Sequence, residues 1–513
     1  MGQKALCLAL GVVVLLIAEG AGRAGETAPS NSSPVPARSR YLLLDSRLID
    51  RLDNARLALG SVKKHPTNPL FREDKPWEPR FDNLYANVLY DEHDKLYKCW
   101  YSPFIVDKAA SATARADRAR VPYRPRGREM GVCYAVSKDG LAWKKPALGL
   151  VEFEGSKANN IVVRGPHGAG VFRDDREPDL QRRYKMFYQG MAVRFSPDGL
   201  HWSDPVPCRE IEARGDTHNN AFWAPELNKY VGITRLFFGQ RIVGRTESPD
   251  FIHWRKAAEV LRGDPQHQTY AMPVFRYADV YLGLVMILCR KDDRVHCELT
   301  WSPDTMHWER IESGKPLIAT SETRGAYDCG CVYAAAVPIL REGEIRLYYG
   351  GSNGPHGGWR DGFFCLAALR PDGFAGYEPA DAARPATIVT RPVVCPGKPL
   401  WITADAAGGS VRIALLDADA RELAVSEPIQ GDVTSRRLAE EPMPGERRPS
   451  FAPNPCHRGV WRLAKLHLSA PFSYHRSYHR GQETTTAPRG GRYVSRFLLI
   501  TCVQSGRPAM DIS

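Results

Sequence analysis

Acidic side chains recur just before, or next to, the apolar strand-like runs of this chain. Two carboxyl groups placed on opposite sides of a bond can serve as proton donor and as base or nucleophile. Crowding several acids in one cavity raises the pKa of one of them and makes such a pair possible. Five acids are the catalytic candidates, each with a structural or purely binding role as its alternative: Glu78, Asp82, Asp174, Asp216 and Asp328.

Aromatic, arginine, histidine and amide side chains accompany these acids. Flat rings combined with a few hydrogen-bonding groups suit a small polyhydroxylated ligand. The candidates for ligand binding are Trp77, Arg80, Arg173, Asn219, Arg235, His267, Tyr270, His356 and Trp359. Neither a metal-ligand spacing nor a cofactor motif is present, so we expect a site made of protein side chains alone.

A repeat shows which elements must position these residues. Four segments follow the pattern S-x-D-x-x-x-W, and their aspartates are separated by 59, 52 and 54 residues. They are Ser137–Trp143, Ser196–Trp202, Ser248–Trp254 and Ser302–Trp308, with a degenerate fifth copy at Arg370–Phe374 that lacks the tryptophan. A fixed period of this length indicates a repeat architecture.

Each copy follows two strand-like runs that are rich in Val, Tyr, Phe and Ile and are joined by a polar turn. The pattern predicts a four-stranded antiparallel unit in which Asp caps a tight turn and Trp packs between neighbouring sheets. Five such units predict an all-β fold, a five-bladed β-propeller. Its inner strands would bring the candidate acids to a central funnel.

The regions outside the repeat differ in composition. We expect a signal peptide over residues 1–24, a linker over 25–39 and the propeller over 40–383. Residues 384–437 alternate as strands do, which predicts a small β-sandwich. Residues 438–513 show little alternation and are basic, which predicts a poorly ordered tail.

The formal net charge of +12 is concentrated in residues 107–129 and 436–513. A basic loop and a basic tail do not make a charged stripe along a folded face, so nucleic acid is not the expected partner. No second apolar run is long enough to span a bilayer. We therefore expect a secreted or periplasmic monomer, free of the membrane after signal cleavage.

The repeat, its S-x-D-G-x-x-W endings and the strand Tyr184–Tyr188 resemble the five-bladed propellers of glycoside hydrolase families 32 and 43, followed by a sandwich as in family 32. The resemblance implies a carbohydrate substrate and cleavage of glycosidic bonds by a pair of carboxylates. Family 32 carries the motifs W-x-N-D-P-x-G, R-D-P and E-C. This chain has Trp77–Asp82 in place of the first and Arg173–Asp175 in place of the second.

The family comparison assigns roles by position. Asp82 or Glu78 would be the nucleophile or base, and Asp174 would stabilise the transition state. The third unit has no E-C pair, and the acid remains open between Asp216 and Asp328. Three other functions stay possible at this point: a non-catalytic carbohydrate-binding propeller, a glycoside phosphorylase that holds phosphate with basic residues such as Arg80, and a propeller that binds proteins through its rim.

Overall fold

The structure is a computed structural model, and it describes residues 35, 38, 40–120, 123, 126–395, 400–416, 421–437, 440–441, 459–469 and 498–502. Nearly every element in these ranges is a β-strand, which confirms the all-β prediction. The described part has one short α-helix, α1 (Lys108–Ala112). Its 3₁₀ turns are Ser46–Leu48, Arg115–Arg120, Leu180–Arg182 and Arg209–Ile211.

Four short strands precede the first repeat: β1 (Ile49–Asp53), β2 (Ala55–Leu59), β3 (Lys63–Lys64) and β4 (Phe71–Arg72). Unit one is an antiparallel sheet built on β5 (Asn87–Asp91), β6 (Leu96–Tyr101), β7 (Phe104–Asp107), β8 (Arg128–Ser137), β9 (Trp143–Lys144) and β10 (Ile161–Arg164). Its strand order is β10-β8-β6-β5, with β7 and β9 also on β8.

Units two and three are four-stranded antiparallel sheets in chain order. Unit two contains β11 (Gly170–Arg173), β12 (Tyr184–Tyr188), β13 (Ala192–Ser196) and β14 (Val206–Pro207). Unit three contains β15 (Asn220–Ala224), β16 (Lys229–Phe237), β17 (Arg241–Ser248) and β18 (Ala258–Arg262).

Units four and five are joined at one point into a larger sheet by a parallel pairing between Val295 and Cys331. Unit four contains β19 (His267–Ala271), β20 (Val274–Tyr277), β21 (Val280–Cys289), β22 (Arg294–Ser302) and β23 (Glu309–Arg310). Unit five contains β24 (Cys331–Ala334), β25 (Ile339–Arg341), β26 (Glu344–Ser352) and β27 (Gly362–Leu369).

The outer strands of unit five come from the beginning of the chain. Ala367 and Ala368 of β27 pair with Lys64 and Lys63 of β3, and β27 also pairs with β4. The degenerate fifth repeat leads instead to β28 (Ala375–Pro379), which pairs with β2. Unit five is therefore completed by residues that precede unit one, a pairing that the repeat pattern alone does not predict.

Each unit packs on the next through aromatic side chains, and the fifth packs on the first. Ring centroids lie 5.8 Å apart for Trp100 and Tyr184, 5.1 Å for Phe187 and Trp254, 5.6 Å for Phe222 and Tyr281, and 5.8 Å for Trp143 and Tyr348. One further cluster joins units four and five. The five units thus close into a ring whose core lies between neighbouring sheets.

The repeated motif forms the turn that its residue types predict. In the second copy, Asp198 Oδ1 accepts hydrogen bonds from the backbone N–H groups of Leu200 and His201, at 2.8 and 2.9 Å. The indole of Trp202 donates to Gly199 O at 3.0 Å. The other three copies repeat these contacts. Asp therefore caps the turn, as expected.

A nine-stranded sheet follows the ring and includes β1. Its other strands are β29 (Ala386–Thr390), β30 (Pro392–Cys395), β31 (Leu400–Leu416), β32 (Glu422–Ser426), β33 (Ile429–Arg437), β34 (Glu440–Glu441), β35 (Gly459–Ser469) and β36 (Leu498–Cys502). The last three lie within residues 438–513, where the sequence predicts a poorly ordered tail, and β35 reads GVWRLAKLHLS. The rest of 438–513 lies outside the described residues.

The predicted signal peptide and nearly all of the linker also lie outside the described residues. Within the ranges that the structure describes, no helix combines the length and apolar character needed to cross a bilayer. Eight cysteines in these ranges are free thiols: Cys99, Cys133, Cys208, Cys289, Cys297, Cys329, Cys331 and Cys365.

Candidate functional site

The segments that lead into the first strand of successive units meet at one place, which we call the central cluster. Its members are Asp82 and Asn83 ahead of β5, His167 ahead of β11, Asp216 ahead of β15, Tyr270 in β19, and His356 and Arg360 in the loop after β26. Arg80, Arg235 and Arg241 complete it. The inner ends of the units thus gather the polar residues that the sequence scatters.

Asp82 is held by two guanidinium groups. Arg360 Nη2 and Arg80 Nη2 both approach Oδ1, at 2.6 and 2.8 Å. Burial by itself would raise the pKa of Asp82, but Arg360 and Arg80 lower this pKa to about 2. Oδ2 accepts no hydrogen bond from the described residues, and the side chain is 12% exposed. Asp82 is therefore an ionised carboxylate with one oxygen fixed and the other open.

The backbone around Asp82 is strained. Asp82, Leu84 and Tyr85 have φ values of 58°, 63° and 44°. Side chains other than glycine seldom adopt this left-handed region, and several such residues in a row tend to mark functional sites. The hydrogen bond from Asn83 Nδ2 to the Tyr85 hydroxyl, at 2.7 Å, ties this segment together.

Arg80 lies in an aromatic cage. Its guanidinium carbon is 4.1 Å from the ring centroid of Tyr123, 5.1 Å from that of Trp359 and 5.9 Å from that of Phe104. Its Nε and Nη1 atoms are buried without a hydrogen-bond partner. Burial lowers the pKa of Arg80, and the neighbouring Arg360 acts in the same direction. The cage positions Arg80 next to Asp82. Trp359 therefore acts here by packing against Arg80.

Asp216 is the second carboxylate of the cluster. Arg235 Nη2 lies 2.5 Å from its Oδ2, and His167 Nε2 lies 3.4 Å from its Oδ1. The hydrogen bond from His167, opposed by burial and reinforced by Arg235, holds the pKa of Asp216 far below its usual value. The side chain is 55% exposed. Asp216 is therefore ionised and accessible, and His167 also adds to the positive field on Asp82.

Tyr270 contacts Asn83, which adjoins Asp82, and Arg235, which pairs with Asp216. Its hydroxyl accepts a hydrogen bond from Asn83 Nδ2 at 3.0 Å and lies 3.1 Å from His356 Nε2. The guanidinium carbons of Arg235 and Arg241 lie 5.0 and 5.3 Å from its ring centroid. Burial, together with nearby Arg360 and Arg241, lowers the pKa of His356 to about 4, so this imidazole is neutral near pH 7.

Glu78 and Trp77 contact a different set of residues. The Tyr101 hydroxyl donates to Glu78 Oε1 at 2.5 Å, and Lys145 Nζ lies 2.6 Å from Oε2. Burial raises the pKa of Glu78 in spite of Lys145. The Trp77 indole donates to Asn160 Oδ1 at 2.6 Å. These contacts support unit one, and within the described residues neither side chain contacts Asp82.

Asp174 follows β11, whereas His167 precedes it. At about 3.3 Å per residue, the four residues of β11 separate Asp174 from the central end by about 13 Å. Asp174 Oδ2 accepts from the Tyr230 hydroxyl at 2.6 Å and lies 3.2 Å from Lys185 Nζ. Arg173 binds Asp175 and Asp91. The direction of the strand thus places Arg173 and Asp174 away from the central cluster.

The remaining predicted residues are spread around the ring. Asp328 is buried against Lys64 and the Tyr349 hydroxyl, at 2.5 and 2.9 Å. Asn219 donates to the backbone carbonyl groups of the Asp216 loop and of Gly168. His267 is exposed and lies 3.0 Å from Asp264. Of the predicted set, the structure brings together Asp82, Arg80, Asp216, Arg235, Tyr270, His356 and Trp359.

Four residues of the cluster escaped the sequence analysis: Asn83, His167, Arg241 and Arg360. His167 stands just before the first strand of unit two, the position that Asp216 has in unit three. Applying that position strictly to unit two would have selected His167 in place of Asp174. Arg360 and Arg241 follow other strands, and nothing in the local sequence marks them.

A cavity of about 560 Å³ opens beside Asp216. Its walls are Glu212, Ala213, Arg214, Asp216, Arg235, Leu236, Phe237, Phe238 and Arg241. Among the described residues, no group of three or more His, Cys, Asp or Glu side chains is placed to hold a metal ion. The chemistry available at this site is that of carboxylate, imidazole and guanidinium groups.

No protein-family model matches this chain, and no curated protein matches it. Solved structures that match part of the chain include a glycosyl hydrolase from Bacteroides ovatus, with 14% identity, 61% of this chain and 95% of that chain covered, and a TM-score of 0.42. A β-1,2-mannobiose phosphorylase from Listeria innocua has 13% identity, coverages of 60% and 97%, and a TM-score of 0.41. An N-acetylgalactosamine deacetylase from F. plautii has 14% identity, coverages of 60% and 95%, and a TM-score of 0.39.

Proposed function

We propose that this protein is a glycoside hydrolase that cleaves glycosidic bonds at the central cluster, with Asp82 and Asp216 as its carboxylates. One observation carries the proposal. Two ionised carboxylates from different units lie near the same His167, and a cavity of about 560 Å³ opens beside one of them. Glycosidic bond cleavage requires one group that donates a proton to the leaving oxygen and one carboxylate that acts as base or nucleophile.

The open Oδ2 of Asp82 suits the role of nucleophile or base. An ionised carboxylate can attack the anomeric carbon or take a proton from water, and it stabilises positive charge on the sugar. Arg80 and Arg360 keep Asp82 ionised and fix its direction. A low pKa makes Asp82 a poor proton donor, so the acid must be sought elsewhere.

We assign the proton-donor role to the pair of His167 and Asp216. Histidine is the side chain that serves most often as a general acid or base in enzymes. Asp216 would orient the imidazole, and Arg235 would keep Asp216 charged. His167 is thus a candidate catalytic residue, and Asp216 acts with it on the leaving oxygen.

For the fold that supports this function, we keep the architecture that the sequence repeat predicts. We propose that the five packed units form a five-bladed β-propeller and that the central cluster lies in its funnel. We propose likewise that the nine-stranded sheet belongs to a small β-sandwich beside the propeller. We keep the proposals that residues 1–24 direct export, that the mature protein is secreted or periplasmic, and that it is a monomer.

The experiment is turnover of furanoside and pyranoside oligosaccharides by the purified protein and by Asp82→Asn, Asp216→Asn and His167→Gln. Loss of a catalytic carboxylate or acid lowers kcat by at least about 100-fold. Asp175→Asn is the matched control, since Asp175 is a half-exposed acid paired with Arg173 and Arg183. Thermal unfolding shows whether each variant is folded. Turnover that survives Asp82→Asn in a folded protein would refute the proposal.

A glycoside phosphorylase is the second candidate, and a specific observation favours it. The cluster holds four guanidinium groups, Arg80, Arg235, Arg241 and Arg360, against the two carboxylates. Such a surplus suits an anion, and inorganic phosphate is the anion that a phosphorylase needs. Cleavage that requires phosphate and releases a sugar phosphate would show that the reaction is phosphorolysis and not hydrolysis.

A further inference from the structure

Two phenylalanines stand exposed at the mouth of the cavity beside Asp216. Phe237 is 64% exposed and Phe238 is 63% exposed. They occupy the end of β16 and the turn into β17. Exposing two large apolar side chains side by side is unfavourable in water, and such patches often mark binding surfaces. Aromatic faces suit the apolar face of a sugar ring.

The strand register places these rings next to cations. Phe237 pairs with Arg241 across the hairpin, and Arg235 lies two residues before Phe237. Side chains two apart, or directly opposite in an antiparallel pair, project from the same face of a sheet. Arg235, Phe237 and Arg241 therefore line one wall together, with Phe238 at the tip.

The carboxylates of the cavity are already paired. Glu212 Oε2 lies 2.5 Å from Lys256 Nζ, and Asp216 is bound by Arg235 and His167. Each carboxylate of the cavity therefore already has a cationic partner.

Two further guanidinium groups line the cavity and form no ion pair with the described residues. Arg241 Nη1 donates to the neutral amide oxygen of Gln268 at 3.0 Å, and its Nε is buried without a partner. Arg214, an exposed residue of the cavity lining, makes no ion pair within the part of the chain that the structure describes. A partly buried cation such as Arg241 is costly unless an anion accompanies it.

We propose that this cavity binds an acidic sugar residue, with its carboxylate on Arg241 and Arg214 and its ring against Phe237 and Phe238. The inference rests on the proposed function in taking a carbohydrate as the ligand. An oxyanion could come from free phosphate or from the sugar itself. Phosphate has no apolar face, so the adjacent phenylalanines favour a carboxylate borne by a sugar ring. The planar guanidinium fork matches a carboxylate well.

The test compares ligands that differ only in charge. Trimers of galacturonate, glucuronate and mannuronate are titrated into the purified protein calorimetrically at low salt, each as the free acid and as the neutral methyl ester. At least one acid should bind about tenfold or more tightly than its ester, since hydrogen bonds to charged groups are worth that much. High salt should reduce the difference.

Variants separate the two parts of the cavity. Arg241→Gln should abolish the preference for the acid over the ester. Phe238→Ala should weaken both forms equally, by about threefold to tenfold. The matched controls are Arg384→Gln and Leu180→Ala, an exposed cation and an exposed apolar side chain outside the cavity, and both should bind like the unchanged protein.

The proposal is overturned if no acid binds more tightly than its ester, or if the acid preference survives Arg241→Gln. Binding of inorganic phosphate that depends on Arg241, without discrimination between acid and ester, would also overturn it. Preference for an acid in a protein that cleaves no glycan would support this inference and contradict the proposed hydrolase activity, so the two can fail separately.

Discussion

Arg360 Nη2 lies 2.6 Å from Asp82 Oδ1, and this ion pair joins the loop after β26 in unit five to the segment that precedes unit one. Arg360 also donates to Asn83 Oδ1 at 2.9 Å. One buried guanidinium thus helps to keep Asp82 ionised and also contacts the strained segment that carries Asp82. The same side chain links unit five to the segment ahead of unit one.

Replacing Arg360 by Met should therefore change the ionisation of Asp82. A neighbouring guanidinium lowers a carboxyl pKa by about 1–3 units, so its loss should raise the pKa of Asp82 from about 2 by that amount. The acidic limb of the pH dependence of kcat/KM should move to higher pH. Near-UV circular dichroism checks that the variant is folded, and Arg384→Met is the control. An unmoved acidic limb would show that Asp82 is not the group that titrates there.

Asp174→Asn should lower the stability of the protein and leave its catalytic turnover nearly unchanged. Asp174 binds Lys185 and Tyr230, and its loss weakens a buried, charge-assisted pair that Glu177 still partly satisfies. We expect a decrease of about 2 kcal/mol in the free energy of unfolding, measured with urea. The kcat/KM of the folded variant should stay within about twofold of the unchanged protein, because Asp174 is outside the cluster. A large loss of kcat at full stability would restore Asp174 as a catalytic residue.

Gly199→Ala should test the junction between units one and two. Gly199 has a φ of +78°, and a Cβ atom there would lie 2.5 Å from Cζ2 of Trp100. Gly149 has a φ of +73°, and a Cβ atom there would have no neighbour within 4 Å. Gly149→Ala therefore measures the cost of the left-handed backbone conformation alone. We expect about 1 kcal/mol of destabilisation for Gly149→Ala and about 2 kcal/mol more for Gly199→Ala. Equal effects in chemical denaturation would mean that Trp100 does not pack on this turn.

His296 should make stability depend on pH at the alkaline side. Burial lowers its pKa, but contacts with Cys289 and Glu298 outweigh burial and raise it to about 9. A raised pKa in the folded state contributes stability that is complete below the unfolded value of about 6.5 and is lost as the pH rises through about 9. The free energy of unfolding should fall across this window, and His296→Gln should flatten the fall. The exposed His307, replaced by Gln, is the control, and a slope unchanged in His296→Gln would contradict the assignment.

The sequence by itself determined the all-β class, the repeated units and the turns that end them. These follow from local contacts and composition: Asp198 bonds the backbone two and three residues ahead of it, and β12 corresponds to the aromatic-rich run Tyr184–Tyr188. The position just before the first strand of a unit also identified Asp82 and Asp216. Contacts over a few residues depend little on the rest of the chain, which is why the pattern was sufficient for them.

Only the tertiary structure decided which residues surround those acids. The pairing of β3 and β4 with β27, the approach of Arg360 to Asp82, and the placement of Asp174 at the far end of β11 all depend on how the ring closes and which way each strand runs. Two side chains distant in the chain can meet only after the sheets between them have packed. Partners, charge states and the cavity beside Asp216 are therefore properties of the closed ring, and no local segment specifies them.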